Sequence, residues 1–435
     1  MNSPLSTRRG FLATGLAAST LPAWFLEECR AQPDSKEPKS KNDTPGIALV
    51  GCGGMGRGDA NNAKRFGKIV ALCDVDQANL AVAGKMWPDA AREGDFRKIM
   101  ERKDVDVVIC GTVDHWHTLV SLAAMRAGKD VYCEKPLTLT IDEGKRLVDE
   151  QKKSRRVLQT GSQQRSDKSF RLACELVRNG RLGKLKTVDV WLPAGRREGP
   201  FKKAPVPKGF DWDMWQGPTP AVDYVPERTH LTFRYWWEYS GGTMTDWGAH
   251  HNDIARWGIG EAGPVKVTGK PTVEMIPDGF TAASEYAVEY TYASGIVHRC
   301  QSTAANAWNG SVVDPKGQQH GVKFVGTDGW IFVTRGKIEA SDPELLKKEL
   351  PESSTRLYTS NDHMGNFFDC VRSRKTTVCD AEVGHRSATV CHLGTIAMRM
   401  GRSLTWDPTK QIFTDAEANK WLAREPRKPW SYDTI

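Results

Sequence analysis

Gly46-Ile47-Ala48-Leu49-Val50-Gly51-Cys52-Gly53-Gly54-Met55-Gly56 is the stretch whose reading decides the fold. Ile47 to Val50 is a short, continuous apolar run, as expected of a strand buried on both faces. It enters Gly51-x-Gly53-x-x-Gly56 directly, and the segment from Arg57 to Phe66 is compatible with a helix. The glycine spacing alone is common; a strand before it and a helix after it make it informative. Gly51 permits a tight turn, Gly53 lets a pyrophosphate approach the backbone, and Gly56 lets the helix pack closely on the strand. An anion held there meets free N–H groups and about half a positive charge at the helix N-terminus. Gly54 and Met55 belong to the same cradle, and a dinucleotide is the ligand it predicts.

Moving outward, apolar runs at 69–73, 105–110, 131–133 and 157–159 read as strands, with helical spacing at 77–86, 115–126 and 141–153. Strand–helix alternation of this kind makes a parallel, doubly wound α/β sheet. Asp74 closes the second strand, eighteen positions on from Gly56. A carboxylate at that distance accepts hydrogen bonds from a ribose 2′-hydroxyl and repels a 2′-phosphate, which favours NAD over NADP. Asp76 is a rival for the role, but its place before a helical run fits a helix cap better.

The pattern changes after about residue 165. Strands at 185–192, 265–275, 284–292, 296–303, 321–325 and 329–334 predict a large, mostly antiparallel open sheet. Helices at 170–178, 363–371 and 384–400 accompany it. The expected division is a Rossmann domain over 46–165, an α+β domain over 166–408 and a C-terminal extension over 409–435.

A length of 435 residues agrees with two domains, and the formal charge of +8 is spread along the chain. Spread charge reads as solvated surface, not as a stripe for nucleic acid. No internal stretch reaches about 18 apolar residues, so no internal membrane span is expected. Ser6-Thr7-Arg8-Arg9-Gly10-Phe11-Leu12 has the twin arginine of a Tat export signal, and Cys29-Arg30-Ala31 is a candidate cleavage site. Residues 1–31 are therefore expected to be a leader outside the fold, and 32–45 a flexible tether. The expected location is periplasmic or otherwise extracytoplasmic. The ten cysteines form no C-x-x-C pair, which predicts neither a disulfide framework nor a zinc ribbon.

Chemistry-bearing residues cluster in three further places. Val131-Tyr132-Cys133-Glu134-Lys135-Pro136 ends a strand of the parallel sheet, where such sheets bind ligands. Lys135 is thus expected to project toward the nicotinamide. In Gly241-Gly242-Thr243-Met244-Thr245-Asp246-Trp247-Gly248-Ala249-His250-His251, a helix starting near Thr245 would set Asp246 and His250 on one face. A carboxylate beside an imidazole orients it and raises its basicity, which suits acid–base work. In Thr112-Val113-Asp114-His115-Trp116-His117, the two histidines are expected to cap a helix and to line the cofactor cleft with Thr112. These histidines lack metal-site spacing, so no metal is expected. His251 would point about 100° away from His250 and reads as structural. Several tryptophans of the second domain, Trp191, Trp215, Trp237 and Trp247 among them, offer faces on which a sugar ring packs. The long segment 196–240 carries little periodicity and is expected to cover the site.

Taken in order, these segments resemble the glucose–fructose oxidoreductase / inositol dehydrogenase (Gfo/Idh/MocA) family. Gly51-x-Gly53-x-x-Gly56, Glu134-Lys135-Pro136 and Gly241-Gly242…Asp246-x-x-x-His250 match its main motifs, and Glu382 to Ala388 is also like its members. The likeness spans about residues 45–408. It implies a Rossmann domain and a mixed-sheet domain that shapes the substrate site and mediates homo-oligomerisation. It implies a catalytic lysine at Lys135, a substrate-contacting Asp246, a catalytic His250 and a cofactor contact at Glu134. One departure is the absence, in 112–117, of the proline that many members carry there. The implied activity is NAD(H)-dependent oxidation of a hydroxyl of a sugar, polyol or related carbohydrate. Two alternatives stand beside it: a glycoside-cleaving enzyme using tightly bound NAD, and a non-catalytic nucleotide- or sugar-binding protein. Export adds an expectation, since no nicotinamide pool exists outside the cytoplasm: the cofactor is held tightly and its hydride is returned within the site.

Overall fold

The structure is a computed structural model that describes residues 21–30, 44–302 and 319–435. The twin arginine Arg8-Arg9 lies outside the described residues. The first element is helix α1 (Ala23–Arg30). The first domain opens with β1 (Gly46–Val50), α2 (Gly54–Ala63), β2 (Lys68–Cys73) and α3 (Gln77–Met86). The short β3 (Ala91–Glu93) and α4 (Phe96–Met100) lead to β4 (Val107–Cys110) and α5 (His117–Arg126). The domain is completed by β5 (Asp130–Cys133), α6 (Ile141–Ser154) and β6 (Leu158–Thr160).

All six strands are parallel, in the order β3-β2-β1-β4-β5-β6. β1 is buried at every position, because helices cover both faces of such a sheet; hence its unbroken apolar run. The strand order reverses between β1 and β4, and ligands bind at that switch point, beyond the carboxyl ends. The glycine loop after β1 and residues 111–114 after β4 flank it.

The second domain begins with α7 (Lys168–Arg178) and β7 (Leu185–Leu192). After the irregular stretch that holds α8 (Trp212–Gln216) comes α9 (Gly248–Ile259). Next come β8 (Lys266–Pro271), β9 (Tyr286–Thr291), β10 (Val297–Ser302), β11 (Gly321–Gly326), β12 (Trp330–Thr334) and β13 (Lys337–Ala340). The chain closes through α10 (Glu344–Lys347), α11 (His363–Ser373), α12 (Ala381–Met400), β14 (Leu404–Asp407) and β15 (Ile412–Phe413). Nine strands form one sheet, β13-β12-β11-β7-β10-β9-β8-β14-β15. Among the described residues, β7 and β10 pair in parallel and the other neighbours are antiparallel. Val188, Val190 and Leu192 alternate into the core shared with α7, α9 and α12, the period-2 pattern of a sheet covered on one face.

Two terminal segments depart from expectation. Residues 21–30 were assigned to a leader outside the fold, yet Phe25 and Cys29 are 0% and 3% exposed in the second domain's core. The reason is Arg171, a buried cation on α7. Its guanidinium lies 4.5 Å from the Phe25 ring centroid and 2.9 Å from both Glu28 and Glu175. A charge this deep needs partners on all sides, and α1 supplies some of them. The extension at 409–435, in turn, returns to the first domain, where Trp430 and Tyr432 join its core. No helix among the described residues is long and apolar enough to cross a membrane.

Candidate active site

The glycine loop is shaped by close approach. Gly51 has φ +89°, and a Cβ there would stand 2.6 Å from Gly111 backbone. A Cβ on Gly56 would stand 2.1 Å from the Gly51 carbonyl, so α2 packs on β1 only with glycine at that position. A Cβ on Gly53 or Gly54 meets nothing within 4 Å, which leaves their backbone open to a ligand. Asp74, at the end of β2, ties the loop down: Oδ2 accepts from Cys52 N at 2.7 Å and Oδ1 from Asp76 N at 2.8 Å. Burial pushes its carboxyl up to about 6, against the pull of those two N–H groups. Asp76 caps α3 through Ala78 N at 2.8 Å.

A cavity of about 280 Å³ runs over this loop, lined by Gly51, Gly53, Gly54, Met55, Asp74, Thr112, Glu134 and Lys135. Open backbone N–H groups at the start of a helix, with an acid across the cleft, fit a dinucleotide. Glu134 is buried, and its Oε1 accepts from Gln163 Nε2 at 2.9 Å. Burial raises its pKa.

A second cavity of about 480 Å³ shares Met55, Lys135 and Arg234 with the first and is also lined by Gln163, Gln164, Asp246, Trp247, His250 and Arg335. Lys135 Nζ is ion-paired with the Asp246 carboxylate, and Arg234 Nε lies 3.2 Å from the same oxygen. Burial would raise the Asp246 carboxyl, but the two cations outweigh it and hold it at about 2. His250 is 7% exposed; burial, then the Lys135 charge, keeps its pKa well below the ordinary histidine value. Turning the Gln164 amide satisfies both of its groups. Its nitrogen then donates to His250 O at 3.2 Å, and its oxygen accepts from Arg335 Nε at 3.1 Å.

Three details differ from the sequence reading. Helix α9 starts at Gly248, not near Thr245, because a 3-10 turn occupies Gly242–Met244 and delays the helix. Asp246 is therefore outside the helix and partners Lys135 instead of orienting His250, whose Nδ1 has no hydrogen-bond partner among the described residues. His115 and His117 neither cap a helix with their side chains nor line the cleft. They turn inward: His115 Nε2 meets Trp215 O at 2.8 Å, and His117 bridges Pro136 O at 2.7 Å and Thr112 O at 3.3 Å. They position the walls of the cleft without facing it. His251 is fully buried and stacks near Trp247, with Nε2 2.9 Å from His320 Nδ1. Arg234, Arg335 and Gln163 went unread in the sequence. Arg234 falls in the segment expected to cover the site; nothing in local spacing marks the other two.

Residues 46–162 match the family profile described as "Oxidoreductase family, NAD-binding Rossmann fold", and residues 190–432 the one described as "Oxidoreductase family, C-terminal alpha/beta domain". The chain belongs to the Gfo/Idh/MocA oxidoreductase family. It is similar to the myo-inositol 2-dehydrogenase of Thermotoga maritima, 28% identical over 218 residues, which is 49% of this chain and 55% of that protein. It is also similar to the scyllo-inositol 2-dehydrogenase (NAD(+)) of Bacillus subtilis, 24% identical over 351 residues, covering 76% and 87%. The chain spans about half the length of the first of these relatives and less of several other inositol 2-dehydrogenases. Among solved structures, the WlbA dehydrogenase of Bordetella pertussis, in complex with NADH and UDP-GlcNAcA, superposes with TM-score 0.63 at 17% identity, covering 84% of this chain and 99% of that one. A levoglucosan dehydrogenase in complex with NADH and levoglucosan gives 0.61 at 17% identity, covering 83% and 99%. At that identity the structures share the fold.

Proposed function

We propose that the protein is an exported NAD(H)-dependent dehydrogenase acting on a hydroxyl of a sugar, polyol or related carbohydrate. The observation that carries this reading is the junction of the two cavities at Lys135 and Arg234, both bound to Asp246, with His250 lining the second cavity. A hydroxyl bound there adjoins the nicotinamide end of the cofactor cleft. The named activities of the inositol and levoglucosan dehydrogenases support the substrate class.

Bound NAD supplies a hydride acceptor for the carbinol carbon. His250, held neutral by burial and by the neighbouring Lys135 charge, takes the hydroxyl proton. Lys135 Nζ donates to the same oxygen and steadies the negative charge that develops on it. Asp246, ionised throughout the physiological range, anchors Lys135 and offers an acceptor to a neighbouring substrate hydroxyl. Trp247 lines the same cavity, with the Arg335 guanidinium 4.9 Å from its ring centroid. Asp74 favours NAD over NADP, and the Arg8-Arg9 leader supports export. A homo-oligomer through the nine-stranded sheet completes the reading; a monomer by sedimentation would remove that part.

The test is a panel of sugars, polyols and sugar acids, read as NADH absorbance with the purified protein. Reduction of NAD by at least one member is the expected outcome. Silence across the panel, with NAD demonstrably bound, would overturn the assignment.

A further inference from the structure

The second domain does more than abut the cofactor cleft; it reaches across to the carboxyl end of the first domain's sheet. At the end of β2, just past Asp74, the chain pairs with residues 209–211. Gln77 N donates to Gly209 O at 2.9 Å, and Asp211 N donates to Val75 O at 3.0 Å. Between them Asp76 and Phe210 form an antiparallel bridge. Farther along the same segment, His230 Nε2 lies 3.4 Å from Asp76, and its ring stacks on Phe210 with centroids 6.0 Å apart. Asp74 and Asn79 of the first domain and His230 and Phe233 of the segment thus line one cavity. With Asp74 placed to hold a ribose, these residues would line the adenosine half of a bound dinucleotide.

Just past that pairing, the segment is fastened by the C-terminal tail. Arg427 Nη1 lies 2.5 Å from the Asp213 carboxylate, and its Nη2 donates to Asp213 O at 2.9 Å. Its Nε donates to Gly217 O at 3.0 Å, and its backbone N donates to Pro218 O at 2.8 Å. One arginine therefore closes four bonds onto the loop around α8 without lining the cofactor cavity. Trp430, three residues on, packs edge-on against Trp116, which does line it, at 4.7 Å. This gives residues 409–435 a task in the cofactor site, although they lie far from it in sequence.

We propose that residues 207–234 are a clasp over the adenosine half of the dinucleotide, held shut by Arg427, so that the cofactor stays on the protein between turnovers. The inference rests on the NAD-dependent reading above and adds to it a route of release. NAD leaves only when the segment lifts from Val75–Gln77. It also supplies what an exported enzyme needs where no cofactor pool exists.

The experiment uses the full-length protein, purified without added nucleotide and then heat-released, with NAD counted by absorbance and mass. The expected result is close to one NAD or NADH per chain. The rate of NADH loss into excess NAD, followed by NADH fluorescence, is then compared with that of Arg427→Ala. Losing the charged hydrogen bonds of one guanidinium should speed release by about tenfold or more, without lowering turnover at saturating NAD. Equal, fast release from both proteins would overturn the clasp and leave the dehydrogenase reading standing. Slow, Arg427-dependent release with no carbohydrate oxidised would keep the clasp and remove the proposed reaction. Should Arg427→Ala not fold, trypsin cleavage of the wild type at Lys202, Lys203 and Lys208 decides instead. NAD should slow it several-fold, and no protection would equally overturn the proposal.

Discussion

The two walls of the site are built in different ways. The cofactor wall is made of consecutive residues: β1, the glycine loop and α2 occupy Gly46 to Ala63, with Asp74 a strand away. The substrate wall is assembled from Lys135, Arg234, the Asp246–His250 stretch and Arg335, four separate segments of the chain. The first wall is mostly backbone, and its chemistry follows from where glycine is required. The second is mostly charge: two cations on one carboxylate, beside a neutral imidazole. A backbone wall binds whatever offers a pyrophosphate, whereas a charged wall selects and reacts. This difference predicts that mutations in the two walls separate binding from turnover.

The largest expected effect lies on the assembled wall. Lys135→Ala and His250→Ala should each lower kcat by about 10²- to 10⁴-fold, the usual contribution of an acid–base group. NAD binding, followed by quenching of tryptophan fluorescence, should persist in the His250 variant, since His250 lines only the second cavity. Near-normal turnover in either variant would remove that residue from the mechanism. Equal loss of binding and rate at His250 would break the division between the walls.

A smaller effect tests how far long-range assembly extends. Phe25 is buried with its ring against the Arg171 guanidinium, so Phe25→Ala opens a cavity beside a charge. Truncations of buried phenylalanine cost about 3–5 kcal/mol, and the lower end is expected here because α1 has only eight residues and can detach. Denaturant titration of the two proteins measures it. A mature chain that starts at residue 32 and is as stable as the longer form would show that α1 is dispensable to the fold.

How much could be read from the sequence follows the same line. The strand-loop-helix of the first domain and the alternation of β7 are short-range patterns; β7 lies where the spacing placed it, and α2 over Gly54–Ala63 starts three residues before the expected Arg57. Lys135 was legible from its place at a strand end. The pairing of Asp246 with Lys135 was not, because the i,i+4 argument that set Asp246 beside His250 holds only inside a helix and α9 begins two residues after Asp246. Arg234 and Arg335 are two among 61 basic residues, and only the folded chain brings them to Asp246 and Gln164. Helix α1 was misread for a related reason. Its apolar residues look like the end of a leader until the buried Arg171 shows what they cover.

The smallest effect probes the cofactor wall, where the titrating group is Asp74. Burial raises its carboxyl from 3.8 to about 6 in the protein without dinucleotide. The ionised form accepts hydrogen bonds from the ribose hydroxyls more strongly than the protonated one and does so at both oxygens, so dinucleotide binding favours loss of that proton. NAD affinity should therefore be full well above pH 6 and weaken several-fold as the pH falls through about 6, with kcat at saturating NAD less affected. The sign for stability is the reverse. A carboxyl whose folded pKa lies above its unfolded value makes the dinucleotide-free protein less stable as the pH rises from about 4 through 6. Asp74→Asn should flatten both profiles. Asp74→Ala should also narrow the preference for NAD over NADP, about tenfold being the size expected from one carboxylate facing a 2′-phosphate. Tighter binding of NADP than NAD by the wild type would take Asp74 out of the cofactor choice. An unchanged pH profile in Asp74→Asn would leave the carboxylate with only its grip on Cys52 N, as a brace for the loop.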